Sequence, residues 1–274
     1  MYEISKGQAA YLKNIKTGKR KVLIIQISIL VGFFALWEFA AQKGLVDPFI
    51  FSSPSRMFTS LIQMISDGTL FKHVGITVFE TAVGFILGTV IGTVTAILLW
   101  WNEYLRKVLD PYLVVLNSLP KTALAPIIIV WIGNNMSSII VTALLTSVVV
   151  TILSVLAGFL SVESDKILLV KTLGANKSQV LTYVILPASI PAIINALKIN
   201  VGLSFVGVMV GEFLVASSGL GYLIVYGSQI FKLDWVMLST IILAILAYLM
   251  YKAVSALENR LSSRWKEKSS KNKA

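Results

Sequence analysis

Residues 164–191 read SDKILLVKTLGANKSQVLTYVILPASIP, and this stretch separates two long apolar runs in the second half of the chain. It is the longest polar-rich interruption there, and the runs on either side have the length and composition of membrane spans. A polar segment of this length between two spans predicts a structured loop that meets another protein. Because successive spans alternate in direction, the side of the membrane on which this stretch lies determines the side of every other loop.

The overall composition is that of an integral membrane protein. Of the 274 residues, 56% are hydrophobic and 14% are charged, whereas soluble domains carry about 25% charged residues. The chain has no cysteine, which excludes disulfides, thiol catalysis and thiolate metal ligands. Its single histidine, His73, argues against a histidine metal site, so no metal site is expected.

Apolar runs of about 20 residues are needed to cross a hydrocarbon core ~30 Å thick, and the sequence predicts an all-α, polytopic protein with six transmembrane helices. The predicted spans are 22–41, 75–101, 109–132, 139–160, 199–216 and 234–253. They form a transmembrane domain, residues 22–257, between basic tails at residues 1–21 and 258–274. A cleaved signal peptide is disfavoured, because no small-x-small cleavage site precedes a polar mature domain.

Several spans carry features that predict their packing. Three prolines predict a broken or kinked third helix. They are Pro111, Pro120 and Pro126. Three glycines of the second span recur four residues apart, which clears one helix face for close packing within the fold. They are Gly84, Gly88 and Gly92. Residues 55–65 place apolar side chains at helical spacing and predict a short amphipathic helix at the interface.

Basic residues predict the orientation. Six spans put both termini on one side, and most of the 24 Lys and Arg residues fall in the tails and in loops 102–107 and 161–198. The opposite loops hold Lys43, Arg56, Lys72 and Lys232. The positive-inside rule therefore predicts that both tails and the opening stretch are cytoplasmic. The net charge of +11 is assigned to membrane lipid and orientation, and nucleic-acid binding is not expected.

Within the opening stretch, the sequence predicts two short helices joined by a turn. Ser164 is expected to cap the first helix, and Gly174 to end it in a left-handed conformation. Asn176 followed by Gln179 resembles a capping box that opens the second helix, which Pro187 is expected to interrupt. The resulting hairpin exposes an apolar face, which predicts docking onto a protein partner.

Residues 173–178, LGANKS, resemble the end of a phosphate-binding P-loop. The two glycines that such a loop needs are replaced by Lys171 and Asn176, and the preceding segment is not a strand. The chain is therefore expected to bind no ATP or other cofactor, and any ATP that drives transport is expected on a partner subunit.

Polar side chains at membrane depth are candidates for a translocation pathway, because exposing them to lipid is costly. These candidates are Asn117, Lys121, Asn200, Ser204 and Glu212. The alternative for Glu212 and Lys121 is an ion pair that stabilises the fold. Glu38 and Glu80 lie nearer the span ends, where a structural role is favoured.

A family resemblance appears in the opening stretch. Gly174, nine residues, Val184, one residue and then Leu186-Pro187 resemble the EAA loop of ABC importer permeases. LNSLPKTALAPIIIVWIG (116–133) and VGEFLVASSGLGYLI (210–224) are similar to segments of the nitrate, sulfonate and taurine branch of that family. The acidic-Ala-Ala triplet that opens the family motif is replaced here by Leu168-Leu169-Val170.

The resemblance implies the type I ABC importer permease fold, in a homodimer that works with two ATPase subunits and an extracytoplasmic solute-binding protein. It implies passage of a small solute by alternating access through a bacterial plasma membrane, with no catalytic residue in this chain. Sulfonates, nitrate, taurine and vitamin precursors are compatible solutes. The resemblance assigns ATPase coupling to loop 161–198, and there to Asp165, Lys166, Leu168, Leu169, Val170, Lys171, Gly174, Ala175, Asn176, Lys177, Leu186 and Pro187.

The main alternative is a secondary transporter or channel that works without an ATPase. That class predicts inverted repeats and paired carboxylates within the membrane, whereas this sequence has no evident internal repeat and its acidic residues are scattered. An intramembrane enzyme is disfavoured, because the sequence offers no evident His, Cys or paired-carboxylate constellation.

Overall fold

Helices make up nearly all of the described chain, because long apolar runs bounded by polar turns favour membrane helices. The computed structural model describes the backbone of residues 6–271 and the side chains of residues 17–18 and 20–256, so most side chains of the two basic tails lie outside it. The helices are α1 (Lys6–Gln42), α2 (Pro48–Phe51), α3 (Pro54–Ser66), α4 (Thr69–Trp101), α5 (Glu103–Ser118), α6 (Lys121–Ile132), α7 (Met136–Leu160), α8 (Ser164–Thr172), α9 (Lys177–Val180), α10 (Leu186–Val215), α11 (Leu220–Gln229) and α12 (Leu233–Lys271), with a π-helical turn over Leu181–Ile185.

The membrane spans follow from helix length and composition. Five described segments are long and apolar enough to cross a bilayer: 20–42, 69–101, 136–160, 177–215 and 233–256. Helices α5 and α6 are bent by 96° at their junction and make a sixth span if the pair counts as one. The prediction of an all-α protein with six spans is confirmed, and the third span is broken as the prolines predicted.

The break in the third span lies at Pro120. Leu119 is extended, with φ −65° and ψ 137°, as the residue before a proline prefers. Pro120 then caps α6 from an extended conformation, while Pro111 and Pro126 lie inside helices. Of the three prolines, it is therefore Pro120 that marks the break.

The predictions for two loops, residues 102–107 and residues 161–198, were wrong. Residues 102–107 are not a loop, since Asn102 alone separates α4 from α5 and accepts the Leu105 N–H at 3.0 Å. The fifth span begins far earlier than residue 199, because Pro187 does not interrupt the helix. The π turn before it is wider than an α turn, with the Leu186 N–H bonded to the Leu181 carbonyl, and it accommodates the proline ring.

One smaller prediction also needs correction. Glu163, not Ser164, occupies the N-cap of α8, and Ser164 is instead the first helical residue. Between α10 and the last span, the additional helix α11 follows a four-residue connection. The last membrane span, 233–256, agrees with the predicted 234–253, and its helix continues to Lys271.

Helix α7 forms the centre of the fold and packs between α4 and α10. Glycines on both neighbours allow the close approach: Gly84, Gly88 and Gly92 of α4 face Ala143, Ser147 and Thr151 of α7, and Gly207 and Gly211 of α10 face Ala143 and Ile139. Buried hydroxyls of α7 are satisfied within the helix, as when Thr142 donates to the Ser138 carbonyl at 2.8 Å. This arrangement buries a polar helix face without lipid contact.

The amphipathic helix predicted for residues 55–65 is present as α3, with Met57 and Met64 buried. It connects the first span to the rest of the molecule. Glu38 of α1 accepts the Ser55 N–H at 3.0 Å and the Ser55 hydroxyl at 2.9 Å. The apolar stretch of α1 is otherwise unburied in the single chain, so Glu38 has the structural role expected of it.

Candidate functional sites

The segment from α8 to the start of α10 lies at the end of the bundle where α4 and α7 finish, and we call it the coupling segment (residues 164–187). Gly174 ends α8 with φ +85°, a left-handed conformation that glycine adopts at little cost. The predicted capping box is present: Asn176 Oδ1 accepts the Gln179 N–H at 2.9 Å, and Gln179 Oε1 accepts the Asn176 N–H at 2.8 Å. The turn between the two helices is therefore rigidly defined.

The coupling segment has an inner and an outer face. Val170, Ala175 and Leu186 pack against the core formed by α4, α7 and α10. The outer face carries Leu168 and Leu169, which are 62% and 61% exposed. Asp165, Lys166, Lys171 and Asn176 are exposed as well, and Pro187 is half-buried.

Sequence reasoning missed two exposed apolar residues of this segment. Leu173 and Tyr183 are 79% and 75% exposed, and both line a groove of about 320 Å³. Val170, Gly174, Ala175, Gln179 and Val184 complete the groove. The position of Leu173 directly before the helix-ending Gly174 was a signal that could have identified it.

Lys177 reaches from the coupling segment to the end of α4, and its side chain is exposed. Its Nζ donates to the Trp101 carbonyl oxygen at 2.5 Å and lies 5.5 Å from the Trp101 ring centroid and 6.0 Å from that of Trp100. Trp101 is the last residue of α4, where free carbonyls and the helix dipole favour a cation. This contact ties the start of α9 to the end of α4.

At the break in the third span, Lys121 Nζ lies 3.4 Å from Asn117 Oδ1, so that one side chain from each half-helix meets across the bend. Asn117 is exposed and Lys121 is half-buried in the single chain. Pro120 provides no side-chain cap for α6. Both predicted pathway residues of this span therefore remain accessible.

Asn200 and Ser204 are placed differently, because both are fully buried between helices of the same chain. Asn200 Nδ2 donates to Thr151 Oγ1 at 2.5 Å and to Thr89 Oγ1 at 3.3 Å, which joins α10 to α7 and α4. Asn200 Oδ1 and Ser204 Oγ meet no hydrogen-bond partner among the described residues. In the single chain these residues contribute to helix packing, and a pathway role stays a prediction.

Glu212 is also buried, near the end of α10, and it caps the start of α11. Its Oε1 accepts the Thr77 hydroxyl at 2.6 Å, and its Oε2 accepts the Gly221 N–H at 2.5 Å. The Tyr222 N–H also donates to this carboxylate. Thr77 Oγ1 accepts the Leu220 N–H at 2.8 Å. The N–H groups that a helix start leaves unpaired are satisfied here by buried side chains.

Glycine is required around this cap. Gly219 has φ +119°, and its N–H donates to His73 Nδ1 at 2.9 Å. A Cβ at Gly219 or Gly221 would overlap the Glu212 carboxylate. The sequence SSGLG (217–221) therefore allows α10 and α11 to share one buried acid.

A second acid adjoins the cap. Glu80 of α4 is 1% exposed, and its carboxyl is hydrogen-bonded to the Glu212 carboxyl. Two carboxylates in contact cannot both be ionised, so the pair holds a proton. The expectation that the acidic residues are scattered was wrong, because α4 and α10 bring together two acids far apart in sequence. In the part of the chain with described side chains, no cluster of three or more His, Asp or Glu could hold a metal ion.

A cavity of about 380 Å³ lies beside this acid pair, at the end of the bundle opposite to the coupling segment, and we call it the Glu80 cavity. Besides Glu80, its lining includes Asn134, Asn135, Met136, Ser217 and Ser218. Two connections therefore meet at the cavity: the one between α6 and α7 and the one between α10 and α11.

Comparison with known proteins places these sites in a family. Residues 84–267 match the model of the binding-protein-dependent transport system inner membrane component. The chain is 32% identical over 234 residues to the formylaminopyrimidine transport permease ThiX of Halalkalibacterium halodurans, covering 85% of this chain and 92% of ThiX. It is 26% identical over 243 residues to the taurine transport permease TauC of Escherichia coli, covering 87% of this chain and 88% of TauC.

The fold is shared with solved permeases. An inward-facing structure of the MetNI methionine ABC transporter superposes with a TM-score of 0.60 and 22% sequence identity, covering 70% of this chain and 95% of that chain. The fold predicted from the resemblance, that of type I importer permeases, is confirmed. With a family match over most of its length, the chain belongs to the inner-membrane components of binding-protein-dependent transport systems, the multi-pass permease subunits of ABC importers.

Proposed function

We propose that two copies of this chain form the membrane pore of an importer in a bacterial plasma membrane, with both termini cytoplasmic. Two ATPase subunits bind the coupling segments, and an extracytoplasmic binding protein delivers the solute to the opposite face. ATP is bound by the ATPase subunits, because the coupling segment lacks the glycines of a P-loop. The charge asymmetry of the loops supports this orientation.

The exposed leucines of the coupling segment carry the docking proposal. Leu168, Leu169 and Leu173 project outward from a turn that is fixed by a capping box and by a glycine. Burying one leucine against a partner stabilises a complex by about 1.5–3 kcal/mol. The family's acidic-Ala-Ala triplet is replaced by apolar residues here, so we propose a partner groove with an apolar floor.

Anchoring of the inner face supports transmission of motion from the ATPase to the pore. Val170 and Leu186 pack on the core, and Lys177 holds the end of α4. A displacement of the docked segment therefore moves α4 and α10 together. Alternation between inward and outward access follows from that rotation of helices.

The solute is proposed from the relatives and is a small organic molecule of the formylaminopyrimidine or taurine type. We propose that Asn117 and Lys121 face the pathway, since both are accessible at the break of the third span. The acid pair alone does not support the alternative of a secondary transporter, because Glu212 is fully engaged in capping α11.

Docking can be tested by co-purification of the ATPase with the permease. The double variant Leu168→Asp/Leu169→Asp places two charges on the contact face without disturbing the core, and we expect association to fall at least tenfold. Ser178→Asp is the matched control, because it adds a charge to the same segment at an exposed polar position. Undiminished association of the double variant would contradict the docking proposal.

A further inference from the structure

The Glu80 cavity contains an acid whose hydrogen-bonding capacity is not used up. Glu80 Oε2 is buried, and apart from the Glu212 carboxyl no hydrogen-bond partner of the Glu80 carboxyl is found among the described residues. A buried polar atom without a partner destabilises a protein, because its lost bond to water is not replaced. Such a group therefore calls for a ligand or another functional reason to be retained.

The proton of the acid pair can be assigned from the hydrogen bonds around it. Glu212 accepts bonds from the Thr77 hydroxyl and from the N–H groups of Gly221 and Tyr222, which stabilise an ionised carboxylate. Glu80 receives no such bond from the described chain. Glu80 is therefore the protonated member: its O–H donates to Glu212, and its other oxygen remains an acceptor that lacks a donor.

The rest of the cavity suits a small polar molecule without negative charge. Ligand pockets in proteins range from about 300 to 1,000 Å³, and this cavity holds about 380 Å³. Asn134 and Ser217 add amide and hydroxyl groups to its wall, while Met136 adds an apolar surface. None of the described residues that line the cavity is basic, so a sulfonate would find no counter-charge there. It would also lie beside the negative charge that the acid pair carries on Glu212.

We propose that the Glu80 cavity is a solute-binding site of the permease, in which Glu80 accepts a hydrogen bond from an amino or amide N–H of a neutral or cationic solute. The inference rests on the proposed importer function, in which this end of the bundle faces the binding protein. It narrows the solute class to N–H-bearing molecules such as aminopyrimidines, and it disfavours simple aliphatic sulfonates. Selectivity then arises in the membrane subunit as well as in the binding protein.

The absence of cysteine from the sequence makes a labelling test clean. Ser217→Cys introduces one thiol at the exposed rim of the cavity. The permease assembled with its ATPase, without the binding protein, is treated with a maleimide in the presence of millimolar formylaminopyrimidine or ethanesulfonate. Labelling is read on the permease band. We expect formylaminopyrimidine to slow labelling at least threefold and ethanesulfonate to leave the rate unchanged.

Variants at Glu80 distinguish a contact from a structural effect. Glu80→Gln keeps an N–H donor for Glu212 and a carbonyl acceptor for the solute. Formylaminopyrimidine should therefore still protect the Ser217→Cys thiol from the maleimide. Glu80→Leu removes both and should abolish protection. Met136→Trp fills the cavity without changing the acid pair and should abolish protection as well, which keeps the test valid if Glu80→Leu fails to fold.

Three results would overturn the inference: no protection by formylaminopyrimidine, equal protection by ethanesulfonate, or protection that persists in either Glu80→Leu or Met136→Trp. ATPase co-purification is measured on the same samples. Loss of ATPase from the unmodified permease would contradict the proposed importer function itself. Normal ATPase association together with any of the three results would contradict the binding site alone.

Discussion

Lys177 and Trp101 connect the coupling segment to the second membrane span, with Lys177 Nζ 2.5 Å from the Trp101 carbonyl oxygen. The carbonyl belongs to the last turn of α4, whose own helix cannot satisfy it. The lysine is thus engaged with α4, whereas Leu168 and Leu169 of the same segment are exposed apolar residues that meet the proposed ATPase surface. We therefore propose that this short segment carries separate residues for docking and for transmission.

This separation predicts that Lys177→Met uncouples the transporter without releasing the ATPase. The variant loses the bond to Trp101 and the contact with two indole rings, while the exposed leucines are unchanged. We expect ATPase co-purification within twofold of the unmodified permease, and solute uptake per ATP hydrolysed reduced several-fold. Both quantities can be measured in proteoliposomes that contain the complete complex.

Lys107→Met is the control for removal of a basic residue at the same end of the bundle. Lys107 forms an exposed ion pair with Glu103 at 3.0 Å, and solvent screens such a pair so that it contributes little to stability. Solute uptake per ATP hydrolysed by the Lys107→Met transporter should equal that of the unmodified transporter. If Lys177→Met released the ATPase, the lysine would be part of the docking surface after all.

The cap of α11 predicts a large effect for a small change at Thr77. Thr77→Val removes a hydroxyl that accepts the Leu220 N–H and donates to Glu212, and it leaves both partners buried. A buried group that loses its partner costs about 1–3 kcal/mol. We expect a clear fall in the midpoint of thermal unfolding of the solubilised permease, followed by tryptophan fluorescence.

Thr95→Val on the same helix provides the comparison. Thr95 Oγ1 bonds the Ile91 carbonyl of its own helix at 2.8 Å, and a carbonyl at this position keeps its ordinary helical bond. The midpoint should change by less than half as much as in Thr77→Val. Equal shifts in the two variants would mean that the cap of α11 contributes nothing beyond a local hydroxyl.

The parts of the structure that sequence could predict are those set by local chemistry. The Asn176–Gln179 capping box and the left-handed Gly174 depend on neighbours within three residues, so their pattern is readable. The break at Pro120 is similar, because a proline and the residue before it restrict the backbone locally. The side of the coupling segment that binds the core could not be read, since it depends on where α4 ends.

The acid pair was not predictable for a different reason. Glu80 lies on α4 close to Thr77, which is 135 residues from its hydrogen-bond partner Glu212. No periodicity links α4 to α10 across that distance. Glu80 read as an isolated acid near a span end until the fold brought it beside Glu212. The π turn before Pro187 was missed because the usual consequence of a proline is a helix break, and the wider turn avoids it.

The packing of α7 against α10 predicts opposite effects for two glycines of one helix. A Cβ at Gly207 would lie 2.5 Å from the Ala143 Cα, and a backbone atom of a central helix cannot move aside. A Cβ at Gly202 meets nothing within 4 Å. We expect Gly207→Ala to destabilise the permease by about 1–3 kcal/mol through overpacking. Gly202→Ala should be neutral or stabilise it by up to about 1 kcal/mol, because alanine favours a helix over glycine.

Denaturant unfolding of the two variants in the same detergent measures both effects against the unmodified chain. The comparison isolates close packing, because both substitutions add the same methyl group to α10 and raise its helix propensity equally. A destabilised Gly202→Ala variant would indicate that this open face of α10 contacts the second permease copy. An unaffected Gly207→Ala variant would mean that α7 and α10 separate enough in solution to admit a side chain, contrary to the glycine-mediated contact described for the central helix.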